Sequence, residues 1–555
     1  MTNAAKTLNG EKDKLFNFRP ALFVAIFLIF GIVFGYYTII HGVSAWWMLS
    51  LVPVAVAPFF FCKRRELFVR TLVLALLLVA FFLGGICFRH QLYAHSRCGY
   101  YNGTHTVTGT VTSYTEREGS YKIILKGLSV DGEEEKGRLV AYLPASFTQK
   151  VRLADVVVLT GNVRTATEYI KDDFNAYTIN DGIRFSLSSV TAYQEAGRSK
   201  EVFLLIRNRV EQVVCNAMDK TSAAVTLGIL TGDTTKIESG LLDNMRRGGI
   251  AHIFAVSGLH VGALYGFLLL LFSKTRLKGT HAALQLVILT AILFVYAGIC
   301  GFSPSILRAM TLCLVSFCMR RLGGATDSLN TLGVAAVIIL LFTPCALFEI
   351  GFQLSFAACL GILLLSKRIG QVCDEIRKAY RKIRPRRYTK EEMEIIENKD
   401  TLPLTMGEEF YRAFTSLLSA SFAAQLFTAP LQYMAFGYLS GWSFLLNLIF
   451  VPLISAVFAG LLVLVLIACV LPLWCGTYLL YIPAMLFNAA LLLFEVADFS
   501  TFAITGMQLS GGCCVCYYGG MIFLTDKWNV SKKQAWMLSG ACFSAFAVIL
   551  ALLNL

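Results

Sequence analysis

Residues 21–40 read ALFVAIFLIFGIVFGYYTII, twenty positions without a charge. A helix of that length is about 30 Å long, the thickness of bilayer hydrocarbon. Lys6, Lys12, Lys14 and Arg19 precede it. No short apolar core with a small-residue cleavage site is present, so the run is expected to remain as an anchor. Two similar runs come next, Ala45–Phe61, which ends in Lys63-Arg64-Arg65, and Thr71–Phe88. Ten more lie beyond residue 249: Ile250–Phe272, Ala282–Cys300, Pro304–Met319, Leu332–Phe342, Ile350–Leu365, Ala413–Ala435, Trp442–Leu471, Tyr478–Ala497, Leu509–Leu524 and Ala535–Leu553. The run 442–471 is long for one straight span and contains Pro452.

Composition agrees with that pattern. Hydrophobic residues make up 56% of the 555 and charged residues 15%, against about 25% charged in soluble domains. Mean hydropathy is +0.64. A cytosolic enzyme, a secreted disulfide scaffold and a disordered tail are excluded. Continuous apolar runs also exclude an outer-membrane barrel, whose strands alternate. The net charge of +14 is that of a membrane protein with positive cytoplasmic loops. By that rule the N-terminus and residues 62–70 are cytoplasmic, and the chain beyond residue 88 emerges outside.

Residues 89–200 are different in kind. Thr104–Tyr114, Ser120–Val130, Gly137–Leu143, Asp155–Arg164 and Gly182–Tyr193 are rich in Val, Thr, Ile and Tyr, and Asp131-Gly132 and Asp181-Gly182 supply turns. Five short strands predict a small Greek-key barrel of OB type. The segment holds 14 Lys+Arg against 12 Asp+Glu, which is too balanced to mark a nucleic-acid surface by itself. An amphipathic helix is expected near Glu201–Met218. Most of the 16 cysteines lie in apolar runs, where they act as small hydrophobes; Cys98 and Cys215 bracket the polar region and are the candidate disulfide. The expected fold is therefore a multi-pass α-helical membrane protein of about 12–13 spans with an inserted extracytoplasmic OB-type barrel. Its parts are 1–90 (tail and three spans), 91–198 (β domain), 199–249 (helix and linker) and 250–555 (membrane domain), the last carrying a cytoplasmic loop at 367–410. The first half of that loop holds ten Lys+Arg against two acids, a solvated face or a lipid-headgroup contact.

Polar groups within the apolar runs indicate function, because hydrocarbon penalises them. Gly258, Gly262 and Gly266 recur every four residues, a spacing that predicts close helix packing, while Ser257 and His260 point away from that face. Ser305, Arg308, Thr311 and Ser316 share an arc of their helix. Ser421, Gln425, Thr428 and Gln432 form a stripe, Ser443 and Asn447 lie four apart, and Gln353 stands near Glu349. Interhelical hydrogen bonding explains any one stripe; together they suit a hydrated passage. Arg308 is the clear cation in the stripes, and a guanidinium among hydroxyls and amides suits phosphate. No Gly-Lys dipeptide occurs, so no P-loop is expected. The seven histidines are scattered, and neither a metal site nor a cofactor is expected. Ser257 with His260 at i, i+3 is a poor nucleophile–base pair, so no catalytic residue is assigned.

Leu230-Thr231-Gly232-Asp233, followed by Met245–Gly262 with its Ala255-Val256-Ser257-Gly258-Leu259-His260-Val261-Gly262, resembles the signature of the ComEC competence-protein family. Ser303-Pro304-Ser305-Ile306-Leu307-Arg308, Gly351-Phe352-Gln353-Leu354-Ser355-Phe356, Ala429-Pro430 and Asn447–Pro452 are similar in the same order. Phe174-Asn175-Ala176-Tyr177 with Asp181-Gly182-Ile183 looks like the close of the family's OB-like domain. The resemblance runs from about residue 20 to 530. It implies a bacterial plasma-membrane channel passing single-stranded DNA to the cytoplasm in natural transformation, with an external DNA receptor and a cytoplasmic helicase-like ATPase as partners. Many members add a metallo-β-lactamase-like domain; the residues to Leu555 carry none, so a separate nuclease or a shortened relative is expected. Ser257, His260, Ser305, Arg308, Gln353, Gln425, Thr428 and Asn447 would line the path, with membrane lipid around it. A small-solute or lipid-linked permease and a non-conducting DNA-binding scaffold are the alternatives.

Overall fold

The computed structural model describes residues 19–42, 65–117, 120–144, 151–165, 175–250, 252, 258–274, 282–321, 327–383, 406–472, 474–481, 503–525 and 532–554. They divide into two compact units, Arg19–Phe352 with the chain from Val451 to Ser500, and Gln353–Phe450 with the chain from Thr501.

In the first unit, α1 (Pro20–Ile40) and α2 (Arg65–Ser96) advance together, with Phe34 against Phe81 and Tyr36 against Phe88. Glycine makes this possible. A Cβ on Gly31 would lie 1.8 Å from the Phe81 carbonyl oxygen, and one on Gly84 2.3 Å from that of Leu28. Arg89 donates to the Thr38 hydroxyl at 3.0 Å.

The β domain comes next: β1 (Asn102–Arg117), β2 (Ser120–Val130), β3 (Glu133–Pro144), β4 (Asp155–Thr165), the short helix α3 (Ala176–Asn180) and β5 (Ile183–Arg198). The strands form a closed barrel in the order β1-β2-β3-β5-β4, with β3 and β5 parallel and the other neighbours antiparallel. Alternation explains the closure, since Val107, Val111, Ile123, Leu125, Leu139, Ala141, Val157, Leu159, Phe185 and Leu187 point inward with no exposed surface. Asp131 and Gly132 both have positive φ, 51° and 95°, as a tight hairpin requires.

Seven helices complete this part of the chain: α4 (Val202–Ala217), α5 (Lys220–Thr231), α6 (Ser239–Arg247), α7 (Gly258–Lys274), α8 (Ala282–Ile299), α9 (Pro304–Arg321) and α10 (Ser328–Phe342). Asp327 caps α10 through the Leu329 N–H at 2.9 Å and pairs with Arg19 at the start of α1. Among the described residues, Gly262 and Gly266 have no close packing partner. Among the described residues nothing approaches within 4 Å of a Cβ on Gly262 or Gly266, and on Gly258 the nearest atom is 3.8 Å away. The spacing is right for a helix interface, but among the described residues only Ala309 of α9 comes into van der Waals reach, beside Gly258.

The second unit comprises α11 (Ile350–Ile383) from Gln353 onward, α12 (Met406–Phe436), β6 (Tyr438–Ser440), the start of α13 (Ser443–Val470), β7 (Ala503–Thr505), α14 (Gly511–Phe523) and α15 (Lys532–Asn554). Gly361 admits α12, its Cβ position being 2.4 Å from the Ala423 carbonyl oxygen. Pro430 inside α12 frees carbonyls one turn back; Tyr517 and Tyr518 of α14 donate their hydroxyls to Leu426 O at 3.0 Å and Phe427 O at 2.7 Å.

Six helices among the described residues are long and apolar enough to cross a membrane: α1, the Leu72–Ser96 part of α2, α8, α11 to Arg377, α12 from Phe410, and α15. The run through Pro452 is bent by 43° between Ser443–Ser455 and Phe458–Val470. The count of 12–13 also took in the bent run, the shorter apolar helices α7, α10 and α14, the charged α9, and the runs Ala45–Phe61, which lies outside the described residues, and Tyr478–Ala497, which does so beyond residue 481. Cys98 and Cys215 are free thiols, not a disulfide. Cys98 packs against the barrel core beside Arg184 and Glu135, while Cys215 on α4 lies beside Lys236 and Glu211.

Candidate functional site

The polar centre of the first unit lies where barrel and helices meet. Helix α8 ends with Gly301 and Phe302 at φ of 70° and 53°. The non-glycine left-handed residue is held by a Phe302 N–H to Ala297 O bond of 2.8 Å and by its ring packing on Phe203 and Phe294. This turn sets Ser303-Pro304 at the start of α9 and Arg308 one turn in. A 3₁₀ turn, Pro344–Phe348, ends in Glu349, the residue before α11. Phe348 packs on Tyr36 at 4.8 Å and Phe88 at 5.7 Å, so an aromatic floor fixes the turn.

Arg308 Nη1 donates to Glu349 Oε2 at 3.0 Å, and both side chains are buried, 6% and 2% exposed. The other carboxylate oxygen accepts from Asn180 Nδ2 of α3 at 2.7 Å. Asn180 Oδ1 in turn accepts from Gln91 Nε2 of α2 at 2.7 Å, and Gln91 Oε1 accepts the Cys345 N–H at 2.9 Å. One carboxylate thus fastens the barrel to three helical segments. Gly351 is part of the arrangement, because a Cβ there would sit 3.0 Å from Arg308 Nη2. The Tyr177 phenol lies near the backbone of Gly351 and Ile350. Asn175 caps α3 by accepting the Tyr177 N–H at 3.0 Å. Phe174 lies outside the described residues.

A second junction joins β1 to α4. Tyr114 donates to Glu211 Oε1 at 2.9 Å, and Lys236 pairs with the same oxygen while its ammonium lies 5.2 Å from the Tyr114 ring centroid. Burial, then the Glu211 charge, push the Tyr114 phenol up to about 12. For Lys236, burial favours the neutral amine, but Glu211 outweighs it and holds the ammonium above its usual range. Gly232 closes α5 at φ 78°, and Asp233 caps the next turn and pairs with Arg207 at 3.1 Å. The Gly-Asp motif is thus a helix stop and an ion-pair partner.

The candidate path residues fall in both units. In the first, His260 is fully buried with its ring 4.8 Å from that of Phe458, Ser305 is half-buried at the start of α9, and Ser257 lies outside the described residues. Arg308 is not a lone cation among hydroxyls; Glu349, 41 residues on, neutralises it. In the second, Gln353 is half-buried. The α12 stripe bonds to itself, with Gln425 Nε2 on Gln432 Oε1 at 3.4 Å, Gln432 Nε2 on Thr428 Oγ1 at 3.1 Å and Thr428 Oγ1 on Ala424 O at 3.0 Å. Ser443 Oγ and Asn447 Oδ1 are buried and lack a partner among the described residues. Asn180 and Gln91 were not named from the sequence, and Glu349 and Gly351 were named without a role; the motifs at 174–177, 181–183 and 351–356 were the signal. Among the described residues no three of His, Cys, Asp or Glu gather as metal ligands.

A family model described as competence protein matches residues 229–530, more than half of the chain. The chain belongs to the competence protein family. This competence protein is 27% identical over 202 residues to ComE operon protein 3 of Bacillus subtilis, covering 36% of the chain and 26% of that relative. It is 30% identical over 142 residues to an uncharacterized protein of Mycoplasma pneumoniae, and 28% identical over 142 residues to one of Mycoplasma genitalium, covering 34% of each. The chain thus spans about a quarter to a third of the length of these curated relatives. No solved structure matches the chain. The family match takes in Arg308, Glu349 and Gly351, whereas Asn180 and Gln91 lie before it, so the junction ties the family domain to the barrel.

Proposed function

We propose that this competence protein acts in DNA uptake, as a bacterial plasma-membrane conduit through which a single DNA strand reaches the cytoplasm. The observation that carries the reading is the competence-family match across the helical domain. A closed five-stranded barrel with a parallel β3–β5 pair supports reading this domain as a module of OB type. In this reading the N-terminus is cytoplasmic and the barrel stands outside at the mouth. Ser257, His260, Ser305, Gln353, Gln425, Thr428 and Asn447 offer hydroxyls, amides and an imidazole along the way. Arg308 serves first to hold the junction. The chain has no catalytic role here. A DNA receptor outside, a separate nuclease and a cytoplasmic helicase-like ATPase complete the system.

A non-conducting scaffold is the second reading, favoured by the α12 stripe satisfying itself. Deletion of the gene should abolish DNase-protected uptake and transformation. Purified protein in liposomes should admit labelled single strands. Passage of small labelled solutes without DNA supports a permease instead, and passage of neither supports the scaffold.

A further inference from the structure

We propose that the Glu349 carboxylate is an exchangeable counter-ion occupying a phosphate site, and that a phosphodiester of the strand takes its place on Arg308. This rests on the conduit reading and assigns that reading a specific phosphate station. The groups that hold the carboxylate are those that hold a phosphate elsewhere, a guanidinium and an amide N–H. Arg308 Nη1 and Asn180 Nδ2 each donate to one oxygen, at 3.0 and 2.7 Å. Ile350 and Gly351 open α11 beside them, with the Tyr177 phenol near their backbone.

Glu349 does not satisfy this site. Only Nη1 of the guanidinium bonds to it, and Arg308 Nε is buried without a partner among the described residues. A buried guanidinium with an unused N–H is a costly arrangement. A phosphodiester, whose two non-bridging oxygens share one charge on a tetrahedral centre, can bridge Nη2 and Nε on the guanidinium edge that Glu349 does not engage. Glycine at position 351 keeps the ground beside Nη2 clear, where a Cβ would lie 3.0 Å away.

Exchange has a mechanical consequence. Glu349 is also what Asn180 holds. Once its carboxylate leaves Arg308, the barrel loses a fastening that runs through α3, a helix of five residues. Strand binding and release of α3 are then one equilibrium, and each favours the other. Without DNA, the carboxylate keeps Arg308 neutralised, since a buried guanidinium left unpaired is strongly destabilising.

The test uses full-length protein in maltoside micelles, free of phospholipid, with a fluorescein-labelled single-stranded oligonucleotide read by anisotropy. Glu349→Gln should bind the oligonucleotide about tenfold more tightly than the parent, within the usual range of coupling between linked equilibria. The gain should vanish in the Arg308→Gln/Glu349→Gln double variant and with a neutral methylphosphonate backbone. Unchanged or weaker binding by a monodisperse Glu349→Gln protein, or a gain that survives loss of Arg308, overturns the exchange. Loss of the gain when phosphatidylglycerol is added, with no effect of the oligonucleotide backbone charge, assigns the site to lipid and also overturns it. Should Glu349→Gln not fold, hydrogen exchange of the parent decides: oligonucleotide must speed exchange in residues 175–182, and unchanged or slower exchange there overturns the proposal. A parent that passes strands into liposomes while showing none of these effects sinks the exchange alone. A parent that neither binds nor passes strands sinks the conduit reading with it.

Discussion

Arg308 and Glu349 form an ion pair at 3.0 Å with almost no exposed surface on either side chain. Removing one member of such a pair leaves a bare charge in a desolvated site, at a cost of about 3–5 kcal/mol, whereas removing both together costs far less. Arg308→Ala should therefore lower the melting temperature and cellular level of the protein, not only DNA uptake. The Arg308→Ala/Glu349→Ala double variant should regain most of the loss, because Asn180 and Gln91 can still bond to each other. Thermal unfolding in detergent for the four proteins of the cycle checks this. Additive losses would show the two residues to be independent.

Glycines in this chain divide into two groups that sequence spacing does not separate. Gly84→Ala drives a methyl into the Leu28 carbonyl, 2.3 Å away, and should cost about 1–3 kcal/mol or more. Gly262→Ala meets nothing within 4 Å among the described residues and should be neutral or stabilising by up to about 1 kcal/mol through helix propensity. Melting of the two single variants beside the parent decides. A large loss in Gly262→Ala would mean that a helix does pack on the Gly258–Gly266 face.

That contrast shows what the sequence could and could not reveal. Strands β1–β5 were legible because alternation and the Asp131-Gly132 turn are local, and the membrane helices because one run carries its own hydropathy. The glycine stripe on α7 fixes a face without saying what lies opposite, and among the described residues only Ala309 meets it. At the junction, Arg308 was visible as a buried cation, but its partner is 41 residues away and the amide sharing that partner is 169 residues from it. Ion pairing over such separations has no periodic trace. Glu349 sat two residues before Gly351 of the Gly351-Phe352-Gln353 motif, yet only the three-dimensional contact with Arg308 Nη2 explains the glycine.

Acid should loosen the barrel at the β2–β3 turn. Asp131 accepts the Thr106 N–H at 2.8 Å and the His105 ring at 2.6 Å, which together lower its carboxyl below the usual range. A carboxyl depressed in the folded state stabilises fully above its unfolded value and loses that contribution as pH falls through the folded one. Asp131→Asn keeps an acceptor for Thr106 but cannot ionise. The parent should melt above this variant near neutrality, and the gap should close as the pH falls below about 4. A gap that stays constant over that range would show that ionisation of Asp131 contributes nothing.

The proline in α12 makes the most specific stability prediction. Pro430 has no N–H for the carbonyl of Leu426, four residues back, and the Tyr517 hydroxyl supplies the missing donor at 3.0 Å. Tyr517→Phe leaves that carbonyl buried and unsatisfied, at a cost of about 1–3 kcal/mol. Pro430→Ala restores a backbone donor at the same place. In the Pro430→Ala background the Tyr517→Phe change should therefore cost well under half as much, a coupling that a purely apolar contact of the ring would not produce. Equal costs in both backgrounds would mean that the Tyr517 ring, and not its hydroxyl, holds α14 against α12.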